Sequence, residues 1–251
     1  MIYGMYLSTA GAKAQSLRQD VIANNLANTD TTGFKRQFAI LQARNDHGSE
    51  FGAPPPFLAN DPRNIQGGVH LVDTPGDLQT QGNVKATGRQ YDFLVNGDGY
   101  FQINRGGRTF LTRSGAFAVD SRGVLVSADG QGQVMSTNGG PIRIDPAEPI
   151  GVDDVGRIFQ NNNQVGQIAL RSPTNPNDMA RQGDGLYAYD GPLRPSTGTI
   201  RQNMLEGSNV APITEMVDMI ETARAFDMNI QMIQLQNDGL ANLLQTVARL
   251  Q

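Results

Sequence analysis

The chain has 251 residues with 24 acidic and 20 basic side chains, and a formal charge of −4 offers no basic face to a nucleic-acid partner. It has no cysteine, which excludes disulfides and thiolate metal sites. With 29 glycines, 13 prolines and no tryptophan, a turn-rich β centre fits better than an all-helical protein.

The first zone, to about Asn28, reads as a helix. Tyr3, Leu7, Ala10, Ala14, Leu17 and Val21 recur at alternating steps of four and three, the a/d spacing of a helix packed along another. Asn24 and Asn28 continue that register as amides, and Ile2, Met5, Tyr6, Ile22 and Leu26 lie off it. Thr29-Asp30-Thr31-Thr32-Gly33 ends the helix with turn formers. No basic segment precedes an apolar run here, so a cleaved signal is not expected, and no stretch reaches the roughly 18 apolar residues of a membrane span.

Residues 35–80 read as irregular, punctuated by Ala53-Pro54-Pro55-Pro56 and Gln66-Gly67-Gly68. From about Gly82 to Pro195 come short alternating runs separated by Gly and Asp/Asn turns, among them Tyr91–Val95, Tyr100–Ile103, Thr109–Thr112, Gly123–Val126 and Leu186–Tyr189. This is the pattern of an antiparallel β domain, with Phe93, Val95, Phe101, Phe117 and Leu125 as expected core.

Chemistry-bearing motifs are scarce between the two terminal zones. His47 and His70 stand alone, without ligand spacing. Gly97-Asp98-Gly99 lacks the third glycine of a dinucleotide fingerprint and reads as a tight turn between two strands. Asp120 and Asp153-Asp154 are carboxylates a hydrolase would need, but nothing in the sequence makes them converge, and they read as turn residues. Ser114 has no visible His partner, and Asp129-Gly130-Gln131-Gly132 lacks the acidic spacing of a calcium loop.

The last zone starts near Ser208 and Asn209, both N-cap candidates, with Pro212 suited to a first helical turn. Met216, Ile220, Ala223, Phe226, Ile230 and Ile233 form one broad apolar face, extended by Leu240, Leu244 and Val247. Met219, Met228, Met232, Leu235, Leu243 and Leu250 point elsewhere around the wheel. A helix apolar on most of its circumference must be buried on several sides, which one partner helix cannot supply.

The resulting expectation is an α+β fold. Residues 1–34 and 207–251 form a paired terminal-helix assembly domain, a coiled-coil stem. Residues 35–80 are an irregular connecting segment, and 81–206 are an inserted antiparallel β-rich domain. Leu240, Leu244 and Val247 should face the chain's own first helix, while Leu243 and Leu250 meet other chains.

Asp20-Val-Ile-Ala-Asn-Asn-Leu-Ala-Asn28 with Thr31-Thr-Gly-Phe-Lys35 resembles the amino-terminal motif of the bacterial flagellar rod and hook proteins. Asp92–Phe101 is similar to that family's first core strand pair, and Thr112–Val126 to its next hairpin. Leu205-Glu-Gly-Ser-Asn-Val210 and Met216–Phe226 resemble the start of its C-terminal helix. Four matches in order span nearly the whole chain; segment 36–80 departs most.

The resemblance implies a structural subunit with no enzymatic activity, no cofactor, and no catalytic or metal site. It implies paired helices lining a tube with a β domain outside, and export by the flagellar type III apparatus without a cleaved signal. It also implies a place in the periplasmic rod, where polymerised subunits transmit motor torque to the hook. The partners are copies of itself and other rod proteins, with neither nucleic acid nor membrane insertion. Within the family, Leu-Glu-Gly-Ser-Asn-Val leans toward the proximal rod branch over the distal one.

The expected assembly interface is Leu7, Leu17, Val21, Asn24, Asn25, Leu26 and Asn28 with Ile220, Phe226, Ile230, Ile233, Leu240, Leu243, Leu244 and Val247. The amides Asn24, Asn25 and Asn28 are expected to fix helix stagger. The rivals are a cell-wall carbohydrate enzyme and a soluble adaptor with Met-rich binding helices.

Overall fold

The computed structural model describes residues 2–43, 69–73, 76–78 and 80–248. The fold is α+β and divides into two compact units. One comprises Met1–Ala27, Gln37–Gly76 and Ala211–Gln251, the other Asn28–Arg36 and Asp77–Val210. Among the described residues, no helix is long and apolar enough to cross a membrane.

The first unit holds α1 (Ile2–Ala27) and α2 (Pro212–Ala248). Pro212 opens α2, where its missing N–H is no loss, and Glu215 places a carboxylate in the positive first turn. Ser208 and Asn209 are not its caps. Ser208 Oγ accepts from Val210 N (3.3 Å), and the Asn209 amide donates to the carbonyls of Asp77 and Thr80 (both 3.2 Å). Segment 35–80, expected to be irregular, contains an antiparallel pair, Ile40–Ala43 with Val69–Asp73. His70 lies in that pair, and His47 falls outside the described residues.

The helices run antiparallel along a sharply defined register. A Cβ on Gly4 would lie 3.0 Å from Gln236 Nε2, and one on Gly11 2.6 Å from Asn229 Oδ1. Twenty-one residues after Gly4, Asn25 Nδ2 donates to Glu215 Oε2 (3.2 Å), and Glu215 lies 21 residues before Gln236. The α1 seam is therefore Gly4, Ser8, Gly11 and Asn25, with Gln15 and Ile22 at the same heptad positions. The stripe expected from the apolar pattern, Tyr3 through Val21, is one residue out of register. The physical reason is that the seam, Ile22 apart, is small and polar, so hydrophobic periodicity marks its neighbour instead; of the expected stripe, Ala14 is nonetheless buried.

The second unit is antiparallel β. Its largest sheet has nine strands, built around Tyr100–Arg105 paired with Arg108–Thr112 and around the hairpin Phe117–Val119/Leu125–Ser127. The expected core residues Phe93, Val95, Phe101, Phe117 and Leu125 are all buried in one cluster, joined by Ile103 and Ile200. Phe117 N donates to Tyr91 O (3.2 Å) and Phe93 N to Gly115 O (3.0 Å), which joins the two expected segments antiparallel. A Cβ on Gly115 would fall 1.7 Å from Phe93 O, so only glycine permits that approach.

The segment Asp92–Phe101 is not a strand pair. Phe93–Asn96 pairs with Thr199–Gln202, whereas Tyr100–Arg105 pairs with Arg108–Thr112 and others. The Gly97-Asp98-Gly99 turn thus passes the chain from one sheet to another, which two β runs joined by a tight turn do not reveal.

Candidate assembly surface

The seam face of α2 is a heptad ladder of two kinds of residue. Glu215, Thr222, Asn229 and Gln236 fall every seventh residue, and Met219, Phe226, Ile233 and Leu240 alternate with them. All are buried or half-buried. Two of these polar side chains satisfy themselves, and two meet α1: Asn25 donates to Glu215, and Gln236 Nε2 donates to Ser8 Oγ (3.5 Å). Thr222 Oγ1 donates to Asp218 O (2.6 Å) and Asn229 Nδ2 to Ala225 O (2.7 Å), each one helical turn back. The amide ladder and the facing glycines were missed from sequence; their seven-residue spacing was the available signal.

At about 100° per residue, the opposite side of α2 carries Ile213, Val217, Ile220, Met228 and Leu235 within about 50° of the direction away from the seam. All five are exposed, Ile220 by 53%, and Arg224 and Gln231 interrupt them. On α1, Tyr6 and Leu7 are exposed, and Leu17 and Val21 are half-buried beside the seam.

The remaining expected interface residues separate into groups. Phe226, Ile230, Ile233 and Leu240 lie half-buried on or beside the seam, and Leu26 is half-buried on α1. Ile220, grouped with them from sequence, faces away. Leu243 is 49% and Leu244 70% exposed. The expectation that Leu244 meets the chain's own first helix fails, because Gly4 already stands opposite Gln236 and α1 ends soon after. Nothing is described of the Val247 side chain.

The three amides do different things. Asn25 is buried; its Oδ1 accepts from Gln37 N (2.9 Å), and its Nδ2 donates to Gln37 O (2.9 Å) as well as to Glu215. It reads a peptide group as a strand neighbour would while pinning α2. Asn24, exposed, donates to Gln37 Oε1 (2.5 Å). Asn28 closes the turn after α1, its main-chain carbonyl accepting from Thr31 N (3.3 Å) and its side-chain Oδ1 from Thr31 Oγ1 (3.1 Å). Asn25 is thus the one of the three amides with a hydrogen bond across the helix pair among those described. In a chain carrying Ser8→Cys and Gln236→Cys, whose native side chains meet at 3.5 Å, a disulfide is expected to form on mild oxidation. Adding Asn25→Leu is expected to cut its yield about fivefold on a non-reducing gel, the ratio that loss of one hydrogen bond of about 1 kcal/mol gives. An unchanged yield would assign the register elsewhere.

The carboxylates weighed for catalysis are turn acids. Asp120 Oδ1 accepts from Val124 N (2.8 Å) and Arg122 N (2.9 Å), bonds that hold its pKa below the usual carboxylate value. Burial works to raise the pKa of Asp153, but the amides of Arg157 and Val155 and the Arg157 guanidinium outweigh it and lower the net value.

Three family models match the chain. The flagella basal body rod protein model covers residues 5–35, the flagellar hook protein FlgE/F/G D1 domain covers 94–160, and the flagellar basal body rod FlgEFG protein C-terminal model covers 201–246. The chain is 34% identical to the flagellar basal-body rod protein FlgF of Caulobacter vibrioides over 222 residues, 85% of each chain. It is 32% identical to FlgG of Agrobacterium fabrum over 248 residues, 90% of this chain and 92% of that one. With FlgG of Bacillus subtilis it shares 29% identity over 264 residues, 97% of this chain and 98% of that one. Terminal-helix and β-domain matches thus follow one another in the order the fold displays, and the chain belongs to the flagellar basal-body rod protein family of FlgF and FlgG.

Proposed function

We propose that the chain is a structural subunit of the bacterial flagellar basal-body rod. It polymerises through its terminal helices into the periplasmic shaft that transmits motor torque to the hook. The observation that carries this reading is the two-sided α2. One side already packs on α1, yet Ile213, Val217, Ile220, Met228 and Leu235 lie exposed on the other. Five exposed apolar residues on one face, opposite an occupied seam, need further chains.

On this reading α1 and α2 are an antiparallel coiled-coil stem, and its outer stripes contact copies of the chain and other rod proteins. The chain leaves the cell interior through the flagellar type III apparatus without a cleaved signal. It acts without catalysis, and the relatives' names support a structural role. The wording Leu205–Val210 favours the proximal rod, the place of FlgF. The nearly end-to-end match to B. subtilis FlgG favours the distal rod as the alternative.

The test is to delete the gene and complement it with a tagged copy. Swimming should be lost on deletion and restored by the tagged chain, which should co-purify with basal bodies. Complete basal bodies and normal swimming in the deletion strain would overturn the assignment.

A further inference from the structure

Residues 28–36 belong to the β unit but form no strand ladder in it. Their backbone contributes a few bonds: Gly33 N to Glu206 O (2.8 Å), Asn209 N to Phe34 O (3.3 Å) and Asp77 N to Arg36 O (2.7 Å). Gly33 sits at φ +69°, with the Ser114 amide 2.5 Å from where a Cβ would be, so this segment lies flat against residues 113–114. Its principal anchor is ionic. Lys35 Nζ lies 2.6 Å from Glu206 Oε1 and donates to Thr80 O (2.8 Å), and both charged side chains are completely buried.

Glu206 holds a second cation. Its Oε2 stands 3.7 Å from Arg113 Nη1, and Arg113 is itself buried, with its guanidinium 4.9 Å from the Tyr100 ring centre. Oε1 also accepts from Gly82 N (3.1 Å). One carboxylate therefore faces two buried cations. Burial pushes the Lys35 ammonium below its usual pKa, and Glu206 pulls it partly back. Arg181 closes the far side, donating to Lys35 O (2.5 Å) and lying over Phe34 and Tyr187.

We propose that residues 28–36 are a strap that opens and closes on the β domain as one unit, with Glu206 as its latch and Lys35 and Arg113 as the two catches. Lys35 and Glu206 lie 171 residues apart, each inside one of the two terminal motifs. Those motifs are the halves of a single device. A segment with few ladder bonds opens below the global unfolding free energy. Its latch disfavours intermediate positions, because withdrawing Lys35 part-way leaves a buried ammonium neither paired nor solvated, while Arg113 alone remains to balance Glu206. The inference does not depend on the assembly reading.

The test is hydrogen exchange by mass spectrometry on the full chain. In Glu206→Gln, which leaves two cations uncompensated, peptides covering 28–36 and 80–83 should exchange about tenfold faster, while those covering 100–112 change less than about twofold. In Lys35→Met, Arg113 still balances Glu206, so the strap alone should quicken, by about threefold. This milder variant decides the matter if Glu206→Gln does not fold. Uniform acceleration across both regions, no acceleration, or a Lys35→Met effect as large as that of Glu206→Gln would each overturn the strap.

Discussion

Leu243→Asp is expected to abolish incorporation of the chain into the rod while leaving its export intact. Leu243 is 49% exposed on a part of α2 beyond Gln236, the residue that Gly4 of α1 faces. In an assembly where neighbours enclose it, the leucine contributes on the order of 1.5–3 kcal/mol per copy. An aspartate there would lose that contribution and bury a carboxylate without a partner, at a cost of several kcal/mol more. On the proposed export route the chain travels unfolded, so export should not sense the change. In a strain lacking the native protein, the variant should accumulate in the medium, be absent from purified basal bodies and fail to restore swimming. Normal incorporation would mean that Leu243 faces solvent in the rod.

Phe117→Ala is expected to destabilise the β unit by roughly 3–5 kcal/mol, the range for emptying a buried aromatic site. The ring is buried, edge-on to Phe101 at 5.1 Å and tilted against Phe93 at 6.0 Å. These three residues come from different strands, so the cavity cannot be closed by one side chain changing rotamer. Phe117 N also holds Tyr91 O, a bond the substitution leaves in place, so the loss reads out packing alone. Urea unfolding followed by circular dichroism measures it. A loss below about 1 kcal/mol would show that the ring does not carry the core.

The order helix, β insert, helix was legible because its two periodicities are strong and separated by glycine-rich turns. The core phenylalanines were legible because they alternate within short runs. The seam of α1 was not, since Gly4, Ser8, Gly11 and Asn25 carry no hydrophobic signal, and the apolar residues beside them imitate one. The site was legible in part. Exposed apolar residues on α2 stand out from any wheel, but which of them the chain itself covers depends on a register fixed by glycines and amides. Asn25 could be named among three amides, yet only its position opposite Glu215 separates it from Asn24 and Asn28. The link between Lys35 and Glu206 was invisible for a different reason. Long-range charge pairing leaves no periodic trace.

The self-satisfied ladder on α2 has a thermodynamic consequence. Thr222 and Asn229 bond to their own helix, and Gly4 and Gly11 have no side chain to bury, so these four positions add little to the apolar surface that closing α1 on α2 removes from water. Enclosing Ile213, Val217, Ile220 and Leu235 between neighbours removes much more. Heat capacity follows apolar burial, so its change on polymerisation should be large and negative. The contacts between subunits then weaken in the cold, and temperature acts on the rod by way of its joints.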